Sequence, residues 1–123
     1  MAGVERLEDL LAWKKARVMT REVYLATREG PFARDFGLAG QIQRSSVSIT
    51  GNIAEGFERR HRAEFAQFVN VARGSCGETR SHLSVALDVG YLAEGEFVRL
   101  KGMAAEAGRI AGGLHDTVQR RRG

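Results

Sequence analysis

From Phe65 onward the chain repeats a core-type residue at intervals of 4-3-4-3-4-3-4: Phe65, Val69, Ala72, Cys76, Thr79, Leu83, Ala86 and Gly90. A strand cannot collect that series on one face, because its side chains alternate with period two; a helix brings every member to one stripe. A second long series, Phe97, Leu100, Ala104, Ala107, Ala111, Leu114 and Val118, repeats at 3-4-3-4-3-4. Two more stripes lie upstream. One is Ala12, Ala16, Met19, Val23 and Ala26, flanked by Trp13, Thr20 and Tyr24. The other is Leu38, Ile42, Ser45/Ser46, Ile49, Ile53 and Phe57. Such stripes are the seams of left-handed helix packing at crossing angles near 20°. Many seam residues are small and let backbones approach closely, with Trp13, Phe57, Phe65 and Phe97 left to fill the ends.

The breaks between stripes agree with that count. Glu29-Gly30-Pro31 ends the first helix, since glycine suits the position after a helix and proline cannot continue it. Gly56 through His61 separates the second from the third, and Gly90-Tyr91-Leu92-Ala93 the third from the fourth. Short connections make antiparallel neighbours. The expectation is an all-α, antiparallel up-down-up-down four-helix bundle in a single domain, 1–123. Its helices span about 8–28, 36–57, 62–90 and 94–119, and a basic tail covers 120–123. The 15 glycines disfavour helix by roughly 1 kcal/mol each relative to alanine, a loss that tertiary packing, including packing between subunits, must offset.

Composition narrows the class. With 123 residues, 43% apolar and 28% charged, the chain is an ordinary soluble domain rather than a disordered one. No apolar run reaches the roughly 20 residues of a membrane span, and the start lacks a signal-peptide pattern, so a cytoplasmic protein without a membrane role is expected. One cysteine, Cys76, excludes an internal disulfide and a multi-cysteine metal cage.

Some apolar residues are not needed by the core stripes. Leu11, Val18 and Leu25 recur every seven residues, about 120–160° around the first helix from its core line. Gly40, Val47 and Ala54 do the same on the second, and Met103 and Ile110 flank the seam of the fourth. Two readings stand: scattered surface apolars, which are normal, or faces buried against copies of the same chain. The candidate interface residues are Leu11, Val18, Leu25, Val47 and Ala54. A polar line on the second helix, Gln41, Arg44, Ser48, Asn52 and Glu55, reads as a solvated face or as contacts at an interface or ligand site.

Charge is uneven. Nineteen Lys+Arg against 15 Asp+Glu give +4, but without Arg120, Arg121 and Arg122 the remainder is only +1 (4 − 3 = 1). In an up-down-up-down bundle the Arg59-Arg60-His61-Arg62 corner and the C-terminal tail fall at one end, so six arginines share a pole. That pole is either a solubilising cap or a phosphate-binding surface, since arginine pairs bidentately with phosphate. Glu55, Glu58 and Glu64 sit there too and neutralise part of it, and few aromatics accompany it, which argues against base stacking.

No catalytic motif is present: no phosphate loop, no dinucleotide fingerprint and no nucleophile elbow. His61, His82 and His115 lie apart without partner motifs. Cys76 falls on a core stripe, as a packed thiol does. The expectation is a protein without enzymatic activity, cofactor or metal site.

Particular stretches resemble a known family. Leu7-Glu8-Asp9-Leu10-Leu11-Ala12-Trp13-Lys14-Lys15-Ala16 is similar to its opening motif. The run from Gln41-Ile42-Gln43-Arg44 through Val47-Ser48-Ile49 to Asn52-Ile53-Ala54-Glu55-Gly56 and Arg59 is similar to its second helix. Ala72-Arg73-Gly74-Ser75, Glu78 and Ala86-Leu87-Asp88-Val89-Gly90-Tyr91-Leu92 continue the likeness. The family is that of four-helix-bundle proteins encoded within intervening sequences of bacterial 23S ribosomal RNA genes, which resemble accessory proteins of diversity-generating retroelements. The chain departs from its pattern at Thr50, at Ser45-Ser46 and at Cys76-Gly77. The resemblance implies a homo-oligomer, commonly a pentamer, without catalytic activity. Through the retroelement relatives it implies nucleic acid (RNA or DNA) and a reverse transcriptase as partners of a basic surface. Arg44 and Arg59 belong to the family pattern. With Arg60, Arg62, Arg120, Arg121 and Arg122 they are the candidate nucleic-acid-binding residues. The rival expectation is a structural or protein-partner scaffold with no nucleic-acid role.

Overall fold

The computed structural model describes residues 4–120; the Arg121 and Arg122 part of the basic tail lies outside the described residues. After a 3-10 turn at Leu7–Asp9 come α1 (Leu11–Thr27), a short α2 (Gly30–Arg34), α3 (Phe36–Arg59), α4 (Arg62–Asp88) and α5 (Glu94–Arg120). The described residues contain no strand. The four long helices pack in a closed cycle, α1 on α3, α3 on α4, α4 on α5 and α5 back on α1. This is the antiparallel arrangement that the short connections demand. No helix among the described residues is long and apolar enough to cross a membrane.

The four stripes are the core. Ala12, Ala16, Met19 and Val23 of α1 are buried, as are Ile42, Ser45, Ser46, Ile49 and Ile53 of α3. Phe65 through Ala86 of α4 and Leu100 through Val118 of α5 bury every stripe position. Hydroxyl pairs join α3 to α4: buried Ser45 Oγ lies 2.9 Å from Thr79 Oγ1, and half-buried Ser48 Oγ lies 2.9 Å from Ser75 Oγ. Asn52 Nδ2 donates to Ser48 Oγ at 2.9 Å. On the other flank of α3, Thr20 Oγ1 donates to the Ser46 carbonyl at 3.1 Å and Gln43 Nε2 to Thr27 Oγ1 at 2.8 Å. The buried hydroxyls of Thr27, Ser45, Ser46, Ser75 and Thr79 each meet a partner, as buried polar groups require, whereas His82 Nε2 and His115 Nδ1 are buried without a hydrogen bond.

The structure corrects the sequence reading in four places. Gly56 is not part of a connection; it lies inside α3 and is buried. A Cβ there would stand 2.8 Å from Phe68 Cβ and 3.2 Å from the Phe65 carbonyl oxygen, so glycine is what allows α3 and α4 to close. Gly90 is not a seam residue but ends α4 with φ +83°. The Tyr91 amide donates to Ala86 O and the Gly90 amide to Leu87 O, the paired bonds of a glycine-terminated helix. The segment after α1 is not a plain loop, because Pro31 opens α2, where its fixed φ and missing N–H suit a first helical turn. That turn buries Phe32, which stacks on Tyr91 with ring centroids 5.2 Å apart. Phe32, Leu10 and Leu92 are thus buried end-fillers of the bundle, whereas Trp13, Phe57 and Phe97 are only partly buried.

Candidate nucleic-acid interface

The arginine-bearing pole is built by a tight corner. α3 runs to Arg59, and Arg60 then takes a left-handed conformation, φ 55°, the one non-glycine with positive φ among the described residues. That conformation turns the chain through His61 into α4, which starts at Arg62. The corner brings acids close to Arg59. Its Nε donates to Glu55 Oε2 at 3.0 Å and its Nη1 to Glu64 Oε1 at 3.1 Å. Its guanidinium also lies 5.2 Å from the centre of the Phe68 ring. Arg59 is therefore a clamp across the α3–α4 corner, with its charge matched by two carboxylates.

Arg62 behaves differently. Its Nη1 lies 3.5 Å from the Gln119 carbonyl oxygen, at the last turn of α5, where unpaired carbonyls favour a cation. This contact sets the α3–α4 corner beside the C-terminal end of α5. Arg60, Arg62 and Arg120 are exposed, and no carboxylate of the described residues lies within 4.0 Å of their charged nitrogens. Arg44 is not part of the pole. It is exposed midway along α3, 15 residues before Arg59, or roughly 22 Å at 1.5 Å per residue.

The candidate assembly residues divide. Leu11 (54% exposed), Val18 (48%) and Val47 (44%) remain open to solvent, while Leu25 and Ala54 are half-buried within the subunit. Leu11 and Val18 lie on the outer face of α1. Val47 lies on α3, on the flank that Gln43 and Ser46 turn towards α1.

The three histidines are dispersed, each beside its own acid: His61 near Glu64 (3.9 Å), His82 near Glu78 (3.6 Å) and His115 near Asp116 (3.7 Å). Among the described residues no group of three or more His, Cys, Asp or Glu side chains is placed to hold a metal ion. Burial pushes the Cys76 thiol up to about 11, with the Arg80 guanidinium opposing the rise. Arg80 belongs to a second basic surface, together with Arg73 and Arg109 along the α4–α5 seam, which sequence reasoning missed. The signal was present: Arg73 and Arg80 are seven residues apart on one helix, beside glycines that no core stripe needs.

A solved structure from the S23 ribosomal protein family of Bacteroides thetaiotaomicron, a protein of unknown function, superposes with a TM-score of 0.80 at 23% identity, covering 89% of this chain and 98% of that one. At that identity the likeness is one of fold. A search of curated proteins finds no match. Residues 8–113, which hold α1 to α4 and most of α5, match the description "23S rRNA-intervening sequence protein", and the chain belongs to that family.

Proposed function

We propose that the protein is a non-enzymatic, self-assembling helical bundle that holds nucleic acid at its arginine-bearing pole. The observation that carries this reading is the Arg62–Gln119 contact, which draws Arg60, Arg62 and Arg120 to one end without matching acids. Closed oligomers would repeat that end in every subunit, and repetition raises avidity well beyond one weak site when the ligand reaches several poles together. The solvent-open Leu11, Val18 and Val47 supply an apolar face for such assembly, and a homopentamer is the state we assign. Analytical ultracentrifugation tests the assembly: wild type sediments as a closed oligomer and Val18→Glu as smaller species, because the contact would bury an unpaired charge. A monomeric wild type at micromolar concentration refutes it. For the pole, Arg60→Ala, Arg62→Ala and Arg120→Ala together should weaken retention of labelled RNA or DNA at low salt and flatten the salt dependence.

A second reading has its own observation. Arg59 is matched by Glu55 and Glu64, so the corner contributes less free positive charge than its sequence suggests. If wild type retains no RNA or DNA at low salt, the bundle is a structural or protein-partner scaffold.

A further inference from the structure

An open groove of about 890 Å³ runs along the outside of the α4–α5 seam, on the side of the bundle opposite the α1–α3 pair. Three arginines line it: Arg73 and Arg80 from α4 and Arg109 from α5. No carboxylate of the described residues forms an ion pair with them. Arg73 Nη1 is steadied by Asn70 Oδ1 at 3.4 Å. Asp116 is the acidic residue of the lining, and its carboxylate lies beside His115.

Between the arginines much of the floor is glycine backbone, with Cys76 and Ala105 beside it. Gly74, Gly108, Gly112 and Gly113 all lie in the groove, inside helices where each glycine disfavours folding by roughly 1 kcal/mol against alanine. Packing does not require them. A Cβ at Gly74 or Gly113 would meet nothing within 4 Å, and at Gly108 or Gly112 it would make ordinary contacts of 3.5 and 3.6 Å with Cys76 and Arg73. Gly56, by contrast, has no room for one. Open helix glycines also occur singly at Gly51, Gly95 and Gly102, but only in the groove do glycines gather, two open and two in ordinary contact, between unpaired arginines. The groove also continues the pole: at 100° per residue Arg62, Arg73 and Arg80 fall within about 20° of one line along α4.

We propose that the Arg73–Arg80–Arg109 groove binds the sugar-phosphate backbone of single-stranded nucleic acid leading away from the pole. This rests on the nucleic-acid reading of the protein and extends it to a second, separable surface. A seam between helices whose axes lie about 8–10 Å apart is too narrow for a rigid duplex, whereas a flexible single strand follows a basic groove. Guanidinium groups suit phosphate oxygens, and the glycine backbone lets the chain come down between them. No aromatic residue lines the groove, so binding is indifferent to base sequence.

The test is fluorescence anisotropy on the full chain with a labelled single-stranded RNA, its DNA counterpart and the matching duplex. Arg73→Ala, Arg80→Ala and Arg109→Ala together should weaken single-strand binding about tenfold or more at low salt, and reduce the salt slope by about two, roughly 0.7 for each phosphate contact on a single strand. Gly74→Leu with Gly113→Leu fills the groove at unchanged charge on open helix faces that accept the side chains, and should weaken binding by a similar factor with helicity retained. Arg21→Ala, Arg28→Ala and Arg34→Ala remove equal charge elsewhere and should leave affinity within about twofold. The proposal is overturned if the filled groove binds like wild type, if the distant triple variant loses as much as the groove variant, or if the duplex binds more tightly than the single strand. Loss in the pole variant with both groove variants intact leaves the pole reading standing and removes the groove. Loss in the groove variants with the pole variant intact does the reverse.

Discussion

The Tyr91 hydroxyl donates to Asp35 Oδ2 at 2.9 Å while Asp35 Oδ1 accepts from the Leu38 amide at 3.0 Å. One carboxylate thus caps the start of α3 and ties it to the α4–α5 connection, at the end of the bundle opposite the arginines. The Leu38 amide and then the Tyr91 hydroxyl hold the Asp35 carboxyl below its ordinary value of 3.8, and the same bond holds the Tyr91 phenol above 10.0.

Those shifts set a pH signature. A carboxyl lowered by folding stabilises the native state above its ordinary pKa and loses that contribution as pH falls through the folded value. The raised phenol contributes below its ordinary pKa and loses its share as pH rises through the higher folded one. Tyr91→Phe should therefore lower the melting temperature near neutral pH, with the deficit narrowing below pH 3.8. Asp35→Asn, which keeps a good cap, should show the same narrowing. A deficit constant from neutral to strongly acidic pH would contradict the assignment.

Gly56 and Gly74 should respond oppositely to alanine. At Gly56 the new methyl collides with Phe68 Cβ and the Phe65 backbone, which cannot swing aside, so Gly56→Ala should cost about 1–3 kcal/mol in urea unfolding. At Gly74 nothing is met, and Gly74→Ala should stabilise by up to about 1 kcal/mol.

The Ser45–Thr79 pair should be strongly non-additive. Ser45→Ala leaves the Thr79 hydroxyl without its cross-helix partner and should cost about 0.5–1.5 kcal/mol. Ser45→Ala with Thr79→Val removes both hydroxyls and should cost less than the sum of the singles, which a double-mutant cycle measures directly.

Cys76 should react slowly with a thiol reagent in the native state and quickly in denaturant, because burial holds its thiol protonated, near 11. Cys76→Ala should cost about 1 kcal/mol through a small cavity and leave the oligomeric state unchanged. Rapid native labelling would show that α4 opens locally.

The seams were legible because a helix turns residue spacing directly into a face: Phe65 to Ala86 and Leu100 to Val118 needed only counting. The ends of the bundle were less so. Gly90 fits both the next seam position and a helix stop, and only the bonds from Gly90 and Tyr91 back to the last turn of α4 decide between them. Phe32 lies outside every stripe, and its burial depends on Tyr91, distant in sequence. At the pole the sequence placed the arginines together and supplied the acids nearby, but not that Arg59 alone would take two of them. The groove was hidden because Arg109 approaches Arg73 and Arg80 only through the packing of α4 on α5.

The cyclic order of the helices also shapes how the chain reaches its fold. Three of the four seams join consecutive long helices, and only α1 on α5 joins the two ends. Low contact order of this kind favours fast folding, with little loop-closure entropy to overcome before helical hairpins form. On the ribosome, α3 and α4 can zip together as soon as both emerge, while the α1 stripe stays open on one side until α5 is made. A nascent chain halted before Glu94 would expose Ala12, Ala16, Met19 and Val23, together with the α4 stripe, making α5 the helix that shields α1 from aggregation.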